Sequence, residues 1–168
     1  ERGKFLGSIP RHLRHTLTDR ASWEAYYKPR LRADDPLRLA SGPAWEMQLA
    51  EWLRPDREYP LFIEAGSLYG VARNWFGLEG ISQIMYDDRD LFEEVVATLA
   101  DVVVTVLEHT LSAGVRPEAA SMWEDMCFSG GPLMSPKIFK EVLVPHYQRI
   151  TGTLNRYGVD IIFLDCDG

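Results

Sequence analysis

Blocks of apolar periodicity, each bounded by Pro or Gly, divide the chain from about residue 58 onward. Before them, residues 1–45 are rich in Arg, Pro and Asp and hold no long period. Within that segment, Asp19 to Tyr27 reads as a short helix that Asp19 or Ser22 can cap. Pro29, Pro36 and Pro43 punctuate loops. Trp45, Leu49, Trp52 and Leu53 recur at helical spacing and predict a packing stripe over 44–53. The run Pro60-Leu-Phe-Ile-Glu64-Ala predicts a short buried strand, and Leu68 to Phe76 one or two helical turns. Asp90 and Glu93 form a D-x-x-E capping box ahead of a long helix whose apolar positions are Leu91, Val95, Leu99, Val102, Val103 and Val106, with Gly114 as its stop.

Residues 117–123 predict a weaker strand that ends in Glu124-Asp125, followed by a Ser129-Gly-Gly-Pro132 loop. Ser135-Pro136 is a favoured helix start. Pro145 lies too deep for an uninterrupted helix and predicts a kink, and Gly158 ends it. The run Val159-Asp-Ile-Ile-Phe-Leu164 is the clearest strand; a nearly unbroken β-branched and aromatic run suits a strand covered on both faces. Strand, helices, strand, helix, strand is the order of an α/β fold with parallel crossovers.

Composition adds exclusions. The 168 residues carry 25 acidic and 18 basic side chains, a net charge of −7, which argues against a general nucleic-acid binder. No apolar stretch is long enough to predict a membrane span, and the basic N-terminus lacks the apolar core of a signal peptide. Cys127 and Cys166 are too few for a disulfide framework, so a reducing cytoplasm is the expected compartment. A start at Glu1 and a stop at Gly168, just after an apolar run, suggest a fragment lacking both ends. Such a piece, with unpaired sheet edges, is not expected to fold well alone.

In parallel α/β folds the chemistry gathers at the carboxyl ends of strands. Each predicted strand delivers acid there: Glu64, then Glu124 and Asp125, then Asp165 and Asp167. Crowded carboxylates raise one another's pKa or require a cation, and either outcome serves proton transfer or Lewis-acid catalysis. Against this, acids at strand ends also cap helices or pair with arginine. Asp165 and Asp167 point to one side of an extended chain, and their oxygens suit a hard divalent cation. Cys166 then faces away as a structural thiol. His12, His15, His109 and His146 show no ligand spacing. The turn Gly66-Ser67-Leu68-Tyr69-Gly70 is a candidate ligand loop, with Arg73 and Asn74 close behind to meet an anionic substrate. It lacks the nucleotide-binding patterns.

Three segments resemble the uroporphyrinogen decarboxylase superfamily, which also contains corrinoid-linked methyltransferases: PLFIEAGSLYGVARNWFGLEG (60–80), WEDMCFSGGPLMSPKIFKEVLVPHY (123–147) and GVDIIFLDCDG (158–168). The resemblance implies a single-domain (β/α)8 TIM barrel, here truncated at both ends. Residues 1–57 would form an irregular and helical N-terminal segment, and residues 58–168 barrel strands and helices. It also marks two departures. Asn74 or Trp75 falls near the position of the decarboxylases' catalytic tyrosine. Asp165 and Asp167 fall on the His and Cys of the thiol-methylating branch's zinc motif, so thiolate-ligated zinc is not expected.

The implied activity is transfer of a methyl group from a small substrate to a corrinoid carrier protein. Glu124, Asp125, Asp165 and Asp167 would be catalytic, Asp165 and Asp167 would be the metal pair, and Glu64, Ser67, Tyr69, Arg73 and Asn74 would bind substrate. Decarboxylation of uroporphyrinogen or a related carboxylated substrate is the alternative, and a non-catalytic binding subunit the third reading.

Overall fold

A computed structural model describes residues 13–167; His12 and Gly168, named above, lie outside them. The N-terminal helix forms as its caps dictate. The Asp19 carboxylate accepts from the Ser22 N–H at 2.7 Å, and the Ser22 hydroxyl accepts from the Asp19 N–H at 3.0 Å. One turn of α1 (Arg20–Ser22) continues as a π-helical turn, Trp23–Tyr27, which buries Trp23. Helix α2 (Gly42–Trp52) takes Pro43 into its first turn, so this proline opens a helix and does not mark a loop.

Strand β1 (Phe62–Glu64) is followed by α3 (Tyr69–Asp87). Its first part, up to Phe76, is the short helix expected. Gly77, non-helical with φ 76°, breaks the helix there, and a second helical part that the pattern did not predict runs on to Asp87. Helix α4 (Arg89–Ser112) starts two residues earlier than the capping box suggests. The cap is Asp88, whose carboxylate accepts from the Leu91 N–H at 3.1 Å; Asp90 lies inside the first turn. Leu91, Val95 and Leu99 are buried as expected, but the face then drifts to Leu107 and Leu111 while Val106 is exposed, as a 3.6-residue period requires.

Strand β2 (Ala119–Trp123) leads to a small hairpin, β3 (Cys127–Phe128) and β4 (Gly131–Pro132), where only a loop was expected. Helix α5 (Pro136–Ile138) starts under a Ser135 cap, passes through a π-helical turn over Phe139–Leu143, and continues as α6 (Val144–Arg156). The wide turn lies just ahead of Pro145, so the proline falls near the start of α6 and the chain stays helical through it. Strand β5 (Ile162–Asp165) ends the described fold and includes Asp165 itself.

The three long strands form a parallel sheet in the order β1-β2-β5. This mixed α/β arrangement is consistent with part of a TIM-barrel-like fold; the sheet is open, not a closed barrel. Helices cover one face, where Ile63, Ala65, Ala120, Met122 and Ile162 join the core. On the other face Phe62, Glu64 and Phe163 are exposed. There the Phe62 and Phe163 rings stack at 6.5 Å, and Ser121 donates to the Glu64 carboxylate at 3.1 Å. No helix among the described residues is long and apolar enough to cross a membrane.

Candidate active site at the strand ends

Two backbone clamps assemble the carboxyl ends of β2 and β5. The N–H groups of Glu124 and Asp125 both donate to the Asp165 carbonyl, at 2.8 and 3.2 Å, and Cys127 N–H donates to the Cys166 carbonyl at 3.0 Å. This overrun of the parallel ladder places the loop after β2 directly on the end of β5. Asp125 and Asp167 take left-handed backbone conformations, φ 41° and 59°. Asp tolerates that region better than most residues. The turns bring the side chains of Asp125, Asp165 and Asp167 together, with one carboxylate oxygen of each within 4.8 Å of the others. Asp165 and Asp167 are exposed and Asp125 is half-buried.

One guanidinium reaches this cluster, at Asp125. Arg73, on α3, reaches an Asp125 carboxylate oxygen at 3.3 Å, also donates to the Asp125 carbonyl, and lies over the Trp123 ring at 5.5 Å. Arg73 is therefore engaged by the acids, where the sequence suggested an arm for an anionic substrate. It neutralises Asp125, and no cation among the described residues pairs with Asp165 or Asp167. Three oxygen donors with no sulfur or imidazole nitrogen among them fit a hard cation, not thiolate-bound zinc.

Glu124 departs most from its expected place on the rim. It is fully buried. Its carboxylate accepts from the N–H groups of Leu68 at 2.7 Å and Gly70 at 2.8 Å, and from the Ser67 hydroxyl at 3.3 Å. Burial pushes its pKa up, opposed by these hydrogen bonds. The expected ligand loop, 66–70, is thus folded around Glu124. Ser67 is turned inward, and its hydroxyl also accepts from the Val71 N–H at 3.0 Å. Tyr69 is fully buried and its hydroxyl has no hydrogen-bond partner among the described residues; burial pushes it up to about 12. Glu64 lies on the open sheet face. Asn74 is exposed, its carbonyl 3.2 Å from His15 Nδ1, beside a cavity of about 240 Å³ that Arg73 also lines.

The structure adds two relationships that spacing does not contain. Tyr147, from α6, is brought beside Glu124 and Cys166, and burial first, then the negative charge of Glu124, holds its hydroxyl far above the usual phenol range. Cys127 and Cys166, 39 positions apart in the sequence, become neighbours without forming a disulfide. Burial, then Cys166, pushes the Cys127 thiol up.

Parallel strands with α-helical crossovers and acidic residues gathered at their carboxyl ends define an α/β chain of the kind that carries its chemistry at that rim. Residues 40–168 match the family Uroporphyrinogen decarboxylase (URO-D), and the chain belongs to that family. Neither a curated protein nor a solved structure matches it significantly.

Proposed function

We propose that this chain carries the catalytic rim of an enzyme that transfers a methyl group from a small oxygen-linked donor to a corrinoid carrier protein. The observation that carries the reading is the Asp165–Asp167 pair, gathered with Asp125 at the strand ends while Arg73 is spent on Asp125. A carboxylic acid in that pair donates its proton to the substrate oxygen as the bond to the methyl carbon breaks. The methyl group passes to the corrinoid acceptor, and the oxygen leaves as a neutral hydroxyl. Asp125, paired with Arg73, positions the loop that holds the other two. In place of that proton, a divalent cation bound by the ionised Asp165 and Asp167 would supply Lewis-acid polarisation of the same oxygen. Decarboxylation would place substrate carboxylates beside a rim of three acids and one arginine, a poor electrostatic match.

The test is methyl transfer from a panel of methoxylated aromatic donors to reduced cobalamin, followed by the absorbance of methylcobalamin. Uroporphyrinogen is incubated in parallel and assayed for coproporphyrinogen. Methyl transfer that falls by about 10² to 10⁴ in both Asp165→Asn and Asp167→Asn supports the proposal. Retained transfer in both variants, coproporphyrinogen formation, or no turnover of any donor overturns it, the last favouring a binding subunit.

A further inference from the structure

Ten of the fifteen lysines and arginines among the described residues are in ion pairs. The exceptions are Arg14, Arg30, Arg38, Arg116 and Lys140. Arg116 is satisfied by the carbonyls of Leu111 and Val115. Three of the remaining four, Arg14, Arg30 and Arg38, line one cavity of about 830 Å³. Their neighbours in sequence behave differently: Arg20, Lys28 and Arg32 each find a carboxylate. In a chain of net charge −7, three unpaired arginines gathered around one concavity repel each other unless an anion joins them.

The rest of the wall is aromatic. Tyr26, Tyr27 and Trp75 line the same space, and the Tyr27 and Trp75 rings lie 5.0 Å apart. The walls are held in place. Arg30 donates to the Tyr26 carbonyl, and Arg38 Nε donates to the Arg32 carbonyl at 2.9 Å. Each tether leaves other guanidinium N–H groups free to meet a carboxylate or phosphate. The Tyr27 hydroxyl and Thr16 Oγ1 are 2.5 Å apart, which fixes the ring. No acidic side chain among the described residues lines the cavity. The volume lies in the range of ordinary small-molecule pockets.

We infer that this cavity binds an aromatic anion: a flat ring, held against Trp75 and Tyr27, that carries a carboxylate or phosphate gripped by Arg14, Arg30 and Arg38. The three arginines precede residue 40, where the family match begins. The site is therefore built by this chain's own N-terminal segment against α3. It stands independently of the methyl-transfer reading, since it requires neither Asp165 nor Asp167.

The experiment is calorimetric titration of the full chain with phenyl phosphate, benzoate, inorganic phosphate and benzyl alcohol, with the Trp75 indole N–H followed by NMR. Saturable binding of phenyl phosphate or benzoate below about 1 mM is expected, with a shift of the Trp75 resonance. Inorganic phosphate and benzyl alcohol, each half of the ligand, are expected at least about tenfold weaker. Arg30→Ala with Arg38→Ala should weaken binding by about 10- to 100-fold, and lysine at both positions should recover part of it. Melting curves establish that the variants are folded. No saturable binding of either aromatic anion, an unmoved Trp75 signal, or binding unchanged in the alanine variant overturns the assignment. Inorganic phosphate binding as tightly as phenyl phosphate does so as well.

Discussion

The carboxylate of Glu124 accepts a hydrogen bond from the N–H of Gly70 at 2.8 Å across 54 residues of sequence, inside the core and not on the rim of the strand ends. With the Leu68 N–H and the Ser67 hydroxyl, it fastens the start of α3 to the end of β2.

This anchorage predicts a specific pH dependence. Burial raises the Glu124 pKa above its ordinary value of 4.5. Below that value the group is protonated in both folded and unfolded chains. As pH rises, the unfolded chain loses the proton first, so the group's contribution to stability declines until its raised folded pKa is passed. Glu124→Gln should flatten this decline. It should also cost about 1–3 kcal/mol, because the amide NH₂ must face a backbone donor. Urea unfolding of both proteins between pH 4 and pH 8 reads both effects.

Glu94 predicts the opposite slope. It receives Lys28 at 2.7 Å, Arg20 at 2.8 Å and the Trp23 indole N–H at 3.1 Å. Lys28 leads these in holding its pKa down at about 2. Its contribution is full above the ordinary value of 4.5 and is lost as pH falls from there toward about 2. Glu94→Gln is expected to cost about 1 kcal/mol at pH 7, since the group is partly solvated, and almost nothing at pH 2. Urea midpoints at the two pH values check it. A variant equally destabilised at both would show packing, not charge, to be the link.

The left-handed backbone at Asp167 separates its chemistry from its geometry. With φ 59°, asparagine fits where a β-branched residue does not. Asp167→Asn should melt within a degree or two of the parent. Asp167→Val should cost about 1–2 kcal/mol, a fall of roughly 2–8 °C. Equal melting temperatures for the two variants would mean that this turn relaxes freely.

Much of this frame was legible in the sequence, and the exceptions have physical causes. The three parallel strands, the Asp19–Ser22 cap and the Ser135-Pro136 helix start follow from local pattern. The helix ahead of Gly77 was legible, but the second helical part of α3 was not, because the non-helical glycine breaks the periodicity between them. Glu124 and Asp125 are adjacent, yet the left-handed turn at Asp125 sends one into the core and the other to the rim, and nothing in the residue types announces that turn. The cavity of Arg14, Arg30 and Arg38 had only a compositional signal, the arginine excess before residue 45. Arg20, by contrast, finds its carboxylate on α4, 74 positions away, which local pattern does not show.

Gly66 joins the strand end to the loop that wraps Glu124, and it is constrained in two ways. Its φ of 79° excludes most side chains, and a Cβ there would lie 2.5 Å from Val103 Cγ2 on α4. Gly66→Ala therefore carries a backbone cost of about 1–2 kcal/mol and an overpacking cost of about 1–3 kcal/mol. Only the second can be relieved by a partner. Val103→Ala removes the clashing methyl groups and by itself costs the burial they lose. Combined with Gly66→Ala, it should give a double variant more stable than the sum of the singles by at least about 0.5 kcal/mol. The double variant should remain less stable than Val103→Ala alone, because the left-handed backbone cost survives the repacking. A fully additive cycle would mean that the loop moves away from α4, and the Glu124 anchorage would then be too loose to hold Gly70 in place.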